Sequence, residues 1–534
     1  MVVERCGVDK PFEYNHSFVV LSGADYFVNG DLRLDVVPTD AKLVHVDLSL
    51  PGADGTYRTV FGPALEHDGV IYGNSDHNVD LAMRRLTAAR PNEQTLIDNQ
   101  QQYVMNNIPF FQSLSQQYTT HNDIYEHDAP LDEIERHIND PHPKQRLRQD
   151  AWHSLHNDFY HASVADKLWL QEVKYKMKKD EIAKPGKYPR MIGDLGVAAS
   201  LQGMRPTAIV KYAMAAEPIR YKNCTMTFVA KPEPGSMQAV FDSLMYGKGV
   251  QFFYFSDDSC ISIEKGGRRV MYNLDISSCD GSHYYTFEAL LETVPKKLKA
   301  EFEVLVEQCV QPIVLTSTDQ KRKVKLKPKM PRLYSGSTLT TLINNLANIM
   351  ICKAIVDDEA FTPEEIAAAA AKAGFIVTVE KCEQPEDLQF LKHSPVRTDK
   401  GYQPMLNLGV MLRSLGQCKG DLPGRGPIVE RAKAFTNAYI TGMYPRTNFS
   451  LRAALLRHTL DSDEMYQKAA AKMFPQFIAG VAMEVADPDL YRRYRLTTND
   501  LAWMETFAST ATLFTSHRSP ALSKILMKDY GLTV

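Results

Sequence analysis

The sequence predicts an α+β fold built around an antiparallel sheet, and three stretches carry that prediction. In "FFYFSDDSCISI" (252–263) an apolar run enters Asp257 and Asp258 and an apolar alternation leaves them. That is the pattern of a tight β-hairpin with carboxylates at its tip. "VMYNLDISSCDGSHYY" (270–285) follows as a strand bearing Asp275, with Asp280 just beyond its end. "GSTLTTLINNLANIMICKAIV" (336–356) is a long helix, and the chain after about residue 400 is mostly helical.

The remaining elements follow in chain order. Residues 1 to about 65 read as short strands and turns, among them "SFVVLSG", "LRLDVV" and "AKLVHVDLSL". From about 78 to 175 the text is helical and polar, and Pro185, Gly186 and Pro189 then break it. "CTMTFVAKPEPG" ends a mixed stretch that leads into the aspartate hairpin. "YYTFEALLETVPKKLKAEFEVLVEQCV" reads as amphipathic helix, and "QKRKVKLKPKMPR" as a basic strand pair or loop. "TPEEIAAAAAKAG" is a helix with Thr362 as N-cap, Pro363 at its first position and Gly374 as its stop. "FIVTVEKCE" is a strand.

Bulk properties set limits. A chain of 534 residues is long enough for several units around a sizeable core. The net charge of −3 confines any nucleic-acid site to a local basic channel. The eight cysteines form no CxxC pair and no zinc spacing, so they read as free thiols of a reducing compartment. The N-terminus lacks the apolar core of a signal peptide. The stretch 339–356 is interrupted by Asn344, Asn345, Asn348 and Lys353, so no transmembrane segment is expected.

The carboxylates point to metal-assisted phosphoryl transfer. Such a site needs carboxylates converging from different strands, because two Mg²⁺ ions must clamp the attacking and leaving oxygens. Two aspartates on a turn are ordinary turn chemistry by themselves. Asp275 ends an apolar strand, where a carboxylate is costly without a partner or a metal. In "SGSTLTTLINN", Ser335 and Gly336 permit close backbone approach, while Thr340 and Asn344 share one helix face. An asparagine there can read a ribose hydroxyl or simply line a buried polar face. The segment 174–190 places lysines and Arg190 in a stretch broken by proline and glycine, which suits a triphosphate or a solvated surface.

Taken together, these residues resemble the motifs of viral RNA-dependent RNA polymerases over about residues 174 to 395. "KKDEIAKPGKYPRMI" resembles the finger motif, which implies Lys179, Lys187 and Arg190 as triphosphate contacts. "LDISSCD" resembles the first palm motif, with Asp275 as metal ligand and Asp280 near the ribose. "SGSTLTTLIN" resembles the second, with Ser335, Gly336, Thr340 and Asn344 at the NTP. "FSDDS" resembles the third, usually Gly-Asp-Asp, here with Ser256 for glycine and Asp257 and Asp258 as metal ligands. "AGFIVTVEKCEQ" resembles the fourth and implies Lys381 as proton donor to pyrophosphate. "LQFLKHS" resembles the primer grip, with Phe390 and Lys392; Lys325 and Lys327 lie in a basic segment suited to an RNA backbone. The third motif precedes the first, the permuted order of birnavirus- and permutotetravirus-type polymerases.

The resemblance implies a right-hand architecture: an N-terminal extension bridging fingers and thumb (1–150), fingers (151–245), a palm with antiparallel sheet (246–395, with a fingers insertion at about 290–332) and a helical thumb (396–534). It implies RNA-templated RNA synthesis with Mg²⁺, for which Mn²⁺ can substitute. Template and product RNA and NTPs are the implied partners, with viral replication or capsid proteins beside them, in the host cytoplasm or the virion. Two other readings stay open: a reverse transcriptase or DNA-dependent polymerase, and a non-catalytic RNA-binding protein on the same palm. The permuted reading also requires that Asp357 and Asp358, which join two helices, lie on the surface far from Asp275.

Overall fold

The structure, a computed structural model, describes residues 18–22, 36–38, 56–58, 70–72, 76–87, 90–125, 129–139, 145–155, 170–178, 181, 187–316, 323–413, 417–419, 422–443, 450–473, 485–510 and 520–531. Lys179 lies outside them.

A six-stranded sheet is the frame of the site. Its strands are β1 (Ile219–Tyr221), β2 (Cys224–Phe228), β3 (Val250–Phe255), β4 (Asp258–Lys265), β5 (Arg268–Ile276) and β6 (Val377–Lys381). They lie side by side in the order β6-β5-β4-β3-β2-β1. All neighbours are antiparallel except β2 and β3, which are parallel and joined through the helix Pro234–Tyr246.

Alternation divides the side chains of the sheet between two cores. Phe252, Tyr254, Ile261, Ile263, Tyr272, Leu274 and Ile276 enter the large core, which also takes the apolar side of α1 (Thr340–Asp357). Phe253 and Cys260 point the other way and meet Val240, Phe241 and Leu244 of the 234–246 helix, together with Leu388 and Phe390. A third core gathers the C-terminal helices around Leu412, Tyr439, Leu455 and Ile525.

Two hairpins set the register. Gly266 and Gly267, both with positive φ, turn β4 into β5. Ser256 and Asp257 turn β3 into β4, with Phe255 facing Asp258 across the turn. After β5 and an intervening region of helices and two strands, α1 runs directly into α2 (Pro363–Lys372). Thr362 caps α2 by accepting from the Glu365 amide at 3.2 Å, and Gly374 leaves the helix at φ +86°. β6 then returns to pair with β5.

A second sheet of five strands has the order Phe18–Ser22, Lys323–Pro328, Ile313–Thr316, Val173–Met177 and Met191–Asp194. The basic segment is therefore an interior strand, second from one edge. The long helix expected over 284–310 is instead two, Thr286–Thr293 and Lys299–Gln308, because Pro295 stops the first. A hairpin, His393–Thr398 with Gly401–Leu406, puts a strand where the sequence predicts a mostly helical chain after about residue 400. Among the described residues no helix is long and apolar enough to cross a membrane.

The loop that leads into α1 seats on the second sheet through glycine. A Cβ on Gly336 would stand 1.8 Å from the Gly193 carbonyl oxygen, and one on Gly193 would stand 2.7 Å from Tyr334. Gly336→Ala should therefore destabilise the protein by about 1–3 kcal/mol, the usual cost of overpacking. Gly235, at the start of a helix with nothing within 4 Å of its Cβ position, serves as control. Gly235→Ala should be neutral or stabilising by up to about 1 kcal/mol. Chemical denaturation of both variants checks the contrast.

Candidate active site

Register places the carboxylates. Asp258 is the direct partner of Asp275 across β4 and β5. Counting from either two-residue turn makes this a non-hydrogen-bonded position, where facing Cα atoms are only about 4.5 Å apart. Two side chains so paired lie on one face of the sheet. Asp257 stands exposed at the tip itself.

The tip is held from behind by α1. Ser256 has φ +54°, a left-handed conformation for which glycine is the ordinary residue. Three asparagines of α1 compensate. Asn345 Oδ1 accepts from the Ser256 amide at 2.7 Å, Asn348 donates to the Ser256 carbonyl at 2.5 Å, and Asn344 donates to the Ser256 hydroxyl at 3.2 Å. All three asparagines are almost fully buried, where unpartnered amides would be costly. The hairpin tip and the helix thus satisfy one another.

Asn344 also faces the end of β5. It hydrogen-bonds Asp280 and lies 2.7 Å from His283 Nε2 and 3.3 Å from Cys279 Sγ. Burial raises the Asp280 carboxyl above the usual range, while Asn344, Arg332 and Arg190 pull it back. Arg190 is thereby placed within electrostatic reach of Asp280. Its guanidinium pairs with Glu181, whose other oxygen accepts from the Arg190 amide at 2.9 Å. Lys187 is exposed nearby in sequence.

On the opposite side, Asp258 is fixed by a second turn. Its Oδ2 accepts from the Leu391 amide at 2.7 Å. Phe390 and His393 exchange both backbone hydrogen bonds across Leu391 and Lys392, whose φ values are +48° and +62°. That is a type I′ turn made without glycine. Burial drives the Asp258 carboxyl up to about 7, the charges of Asp257 and Asp275 add to it, and the Leu391 amide and Lys392 oppose it.

Several expected contacts are placed differently. Phe390 is fully buried beside Phe253 and Cys260, so its ring supports the 391–392 turn rather than facing an RNA strand. Lys392 Nζ lies 4.5 Å from the centre of the Tyr530 ring. Thr340 directs its hydroxyl to the Ser337 and Tyr334 carbonyls, at 2.9 and 3.2 Å, and so closes the start of its own helix. Ser335 is exposed, with Oγ 3.5 Å from the Met191 carbonyl. Lys325 pairs with Glu172, while Lys327 is exposed on the same strand.

Lys381 is not brought to the carboxylates. It pairs with Tyr272, whereas Asp275 pairs with Thr378, three residues away along β6. An odd offset puts it on the opposite face, about 10 Å along the strand. Its amine lies 3.4 Å from Glu383. Asp257, Asp258 and Asp275 do not form a closed three-carboxylate cage either. Among the described residues no three His, Cys, Asp or Glu side chains converge for a metal. Asp258 is turned toward the Leu391 amide, and Asp257 is exposed.

Asp357 and Asp358 are exposed at the far end of α1. Thirteen residues of helix separate Asp357 from Asn344, about 20 Å of rise. Asp357 is engaged by Tyr221 at 2.6 Å, Lys222 at 2.7 Å and Lys353 at 2.5 Å, and Asp358 by Lys372 at 2.7 Å.

Asn345, Asn348, His283 and the Leu391 amide are site residues that motif matching passed over. The signal for the asparagines was present: polar amides at 344, 345 and 348 in an otherwise apolar helix require buried partners.

No protein-family model matches the chain, and no curated protein does. Among solved structures it is similar to a birnavirus VP1–VP3 complex, at 15% identity over 61% of this chain and 48% of that one, with a TM-score of 0.37. It is also similar to the RNA polymerase VP1 of infectious pancreatic necrosis virus, at 14% identity over 72% of this chain and 54% of that one, with a TM-score of 0.36. The match spans about half the length of each.

The site makes a prediction about pH. The folded-state value for Asp258, about 7, exceeds its ordinary 3.8, so folding binds the proton more tightly. The stability this contributes is fully present below about pH 4 and is lost as pH rises to about 7. In metal-free buffer, Asp258→Asn should gain in Tm over wild type by a few degrees between pH 5 and pH 8. A pH-independent difference between the two proteins would contradict the assignment.

Proposed function

We propose that the chain is an RNA-directed RNA polymerase of the permuted kind, extending an RNA strand by nucleotidyl transfer from NTPs. One observation carries the reading. The facing pair Asp258–Asp275 and the tip residue Asp257 adjoin the Asp280–Asn344 pair, because Asn344 of α1 also donates to Ser256 at the tip. Negative charge for a cation and polar groups for a sugar are thus built side by side.

The donor set fits Mg²⁺, with Mn²⁺ as substitute. It is all oxygen, and its crowding is already felt in the raised Asp258 carboxyl. Mg²⁺ is commonly held by one or two carboxylates, with waters and substrate phosphates filling the rest, so a closed protein cage is not required. Asp257 and Asp275 would hold it, with Asp258 contributing through the oxygen that the Leu391 amide leaves free. Bound there, the ion supplies charge neutralisation to the attacking and leaving oxygens.

The chain's own residues do the positioning. Arg190 and Lys187, with Lys179, would neutralise the triphosphate. Asp280 and Asn344 would meet the ribose hydroxyls, and Ser335 and Gly336 would border the nucleotide. Gly336 has no room to move, because it is seated on Gly193. Lys327, and Lys325 where it releases Glu172, would follow an RNA backbone. No general acid is assigned to Lys381, whose face of β6 is the wrong one for it.

In this reading the 246–395 region is the palm, the preceding region the fingers and the C-terminal helices the thumb, with residues 1–150 bridging. The hairpin comes before β5 in the chain, and α1 meets α2 where a conventional order would insert it. Viral proteins would be partners, in the host cytoplasm or the virion. The absence of a closed carboxylate cage among the described residues favours one second reading, an RNA-binding protein on an inactive palm.

Primer extension decides between them. Wild type should add template-matched NMPs with Mg²⁺, and Asp257→Asn and Asp275→Asn should each fall by about 10²–10³-fold, as loss of metal assistance implies. The double variant Asp357→Ala, Asp358→Ala should stay within a few-fold of wild type. RNA binding without incorporation in Mg²⁺ or Mn²⁺ would establish the inactive palm.

A further inference from the structure

The reading above leaves unexplained a buried imidazole beside the sugar-facing pair. His283 is 2% exposed, follows the 3₁₀ turn Cys279–Ser282 and points at Asn344. Its backbone is bracketed by one side chain from far earlier in the chain. Gln100 donates to the Ser282 carbonyl at 2.9 Å and accepts from the Tyr284 and Tyr285 amides at 2.8 Å each. The ring packs edge-on against Phe375, with centres 6.1 Å apart. Nothing in this arrangement lets the imidazole swing away.

The chemistry of its neighbours fixes which atoms face which. Asp280 presents a carboxylate, which accepts, so the Asn344 atom toward it must be the Nδ2 donor. The same Nδ2 donates to Ser256 Oγ. Asn344 Oδ1 therefore faces His283 Nε2 at 2.7 Å, and that nitrogen must carry the proton. Nδ1, 3.2 Å from the Thr286 hydroxyl, is left to accept from it. Burial lowers the His283 pKa to about 4, and the Arg90 charge works in the same direction. A neutral Nε2–H imidazole is the form consistent with the Asn344 contact, and the single Thr286 hydroxyl proton serves Nδ1 or Gln100 Oε1 at 3.4 Å. Rotating the Asn344 amide by half a turn would set N–H against N–H at His283 and oxygen against oxygen at Asp280.

Resting on the polymerase reading, we propose that His283 is a positioning residue for ribose selection. It locks the Asn344 amide so that Nδ2 serves Asp280 and the hairpin tip, and Asp280 is presented as an acceptor for a sugar hydroxyl. His283 touches no substrate in this account; it acts through Asn344. Gln100, from the helix Glu93–Asn106, holds the backbone that carries it.

The test measures kcat/KM for an NTP and its matching dNTP in primer extension with the full chain. His283→Phe keeps ring packing and removes the donor, and its NTP/dNTP ratio should fall about tenfold, as for one hydrogen bond of ordinary strength. His283→Asn, too short to reach Asn344, should behave alike and stands in if the phenylalanine variant does not fold. His283→Gln restores a donor at the right length and should keep the ratio within about threefold of wild type. A ratio unchanged in the phenylalanine and asparagine variants overturns the proposal. So does an equal loss in all three, which would mark a purely structural role. A wild type that extends no primer at all removes the polymerase reading and this inference with it. A wild type that extends without preferring NTPs removes this inference alone.

Discussion

The site depends on the contact between the hairpin tip and the asparagines of α1. Ser256 occupies a backbone conformation that a non-glycine residue takes at a cost. Its amide, carbonyl and hydroxyl are each matched by one amide side chain from a single helix. The helix in turn could not bury three asparagines without those partners. Each element makes the other affordable, and the outcome is a carboxylate-bearing turn whose position is set by a packed helix rather than by its own loop. From that anchor the register of β4 against β5 brings Asp258 to Asp275.

The other side of the site is organised from the C-terminal part of the chain. The Leu391 amide reaches Asp258 from a turn whose neighbours are tied to the last helix. Arg493 donates to the Glu386 and Asp387 carbonyls at 3.1 Å and to Gln389 at 2.8 Å, and pairs with Asp529 at 3.1 Å. Lys392 rests on Tyr530. A buried ion pair whose guanidinium makes four hydrogen bonds holds geometry more than it adds stability. Here it links the C-terminal core to the backbone that sets one carboxylate. Asp258 is thus clamped between a turn from the C-terminal side and a strand of the sheet, and its raised proton affinity reflects that enclosure.

Much of this was legible from sequence, for identifiable reasons. The Asp257–Asp258 turn, the Asp275 strand, the two helices on either side of Asp357 and the Thr362 cap are local patterns, and each stands where its residues predict. The remote position of Asp357 followed from the lack of a strand beside it. Expectations failed where the outcome depended on long-range register or packing. Lys381 is on the predicted strand but on the wrong face, and one residue of offset decides that. Phe390 has the aromatic character of a contact residue, yet the 391–392 turn folds it inward. The 393–406 hairpin carries Pro395 and Pro404 opposite one another, which hides its alternation. Gln100 and His283 are 183 positions apart in the numbering, and no local pattern joins them.

The central claim is that the carboxylates at the hairpin tip and on β5 bind the catalytic cation, while the Asp357–Asp358 pair does not. Anomalous diffraction from crystals of the full chain grown with Mn²⁺, an RNA template–primer and a non-hydrolysable NTP tests it most directly. The account predicts a manganese peak within coordination distance of Asp275 and Asp257, adjoining the triphosphate, and none at Asp357 or Asp358. A peak at Asp357, or none near Asp275 with the nucleotide bound, would contradict it.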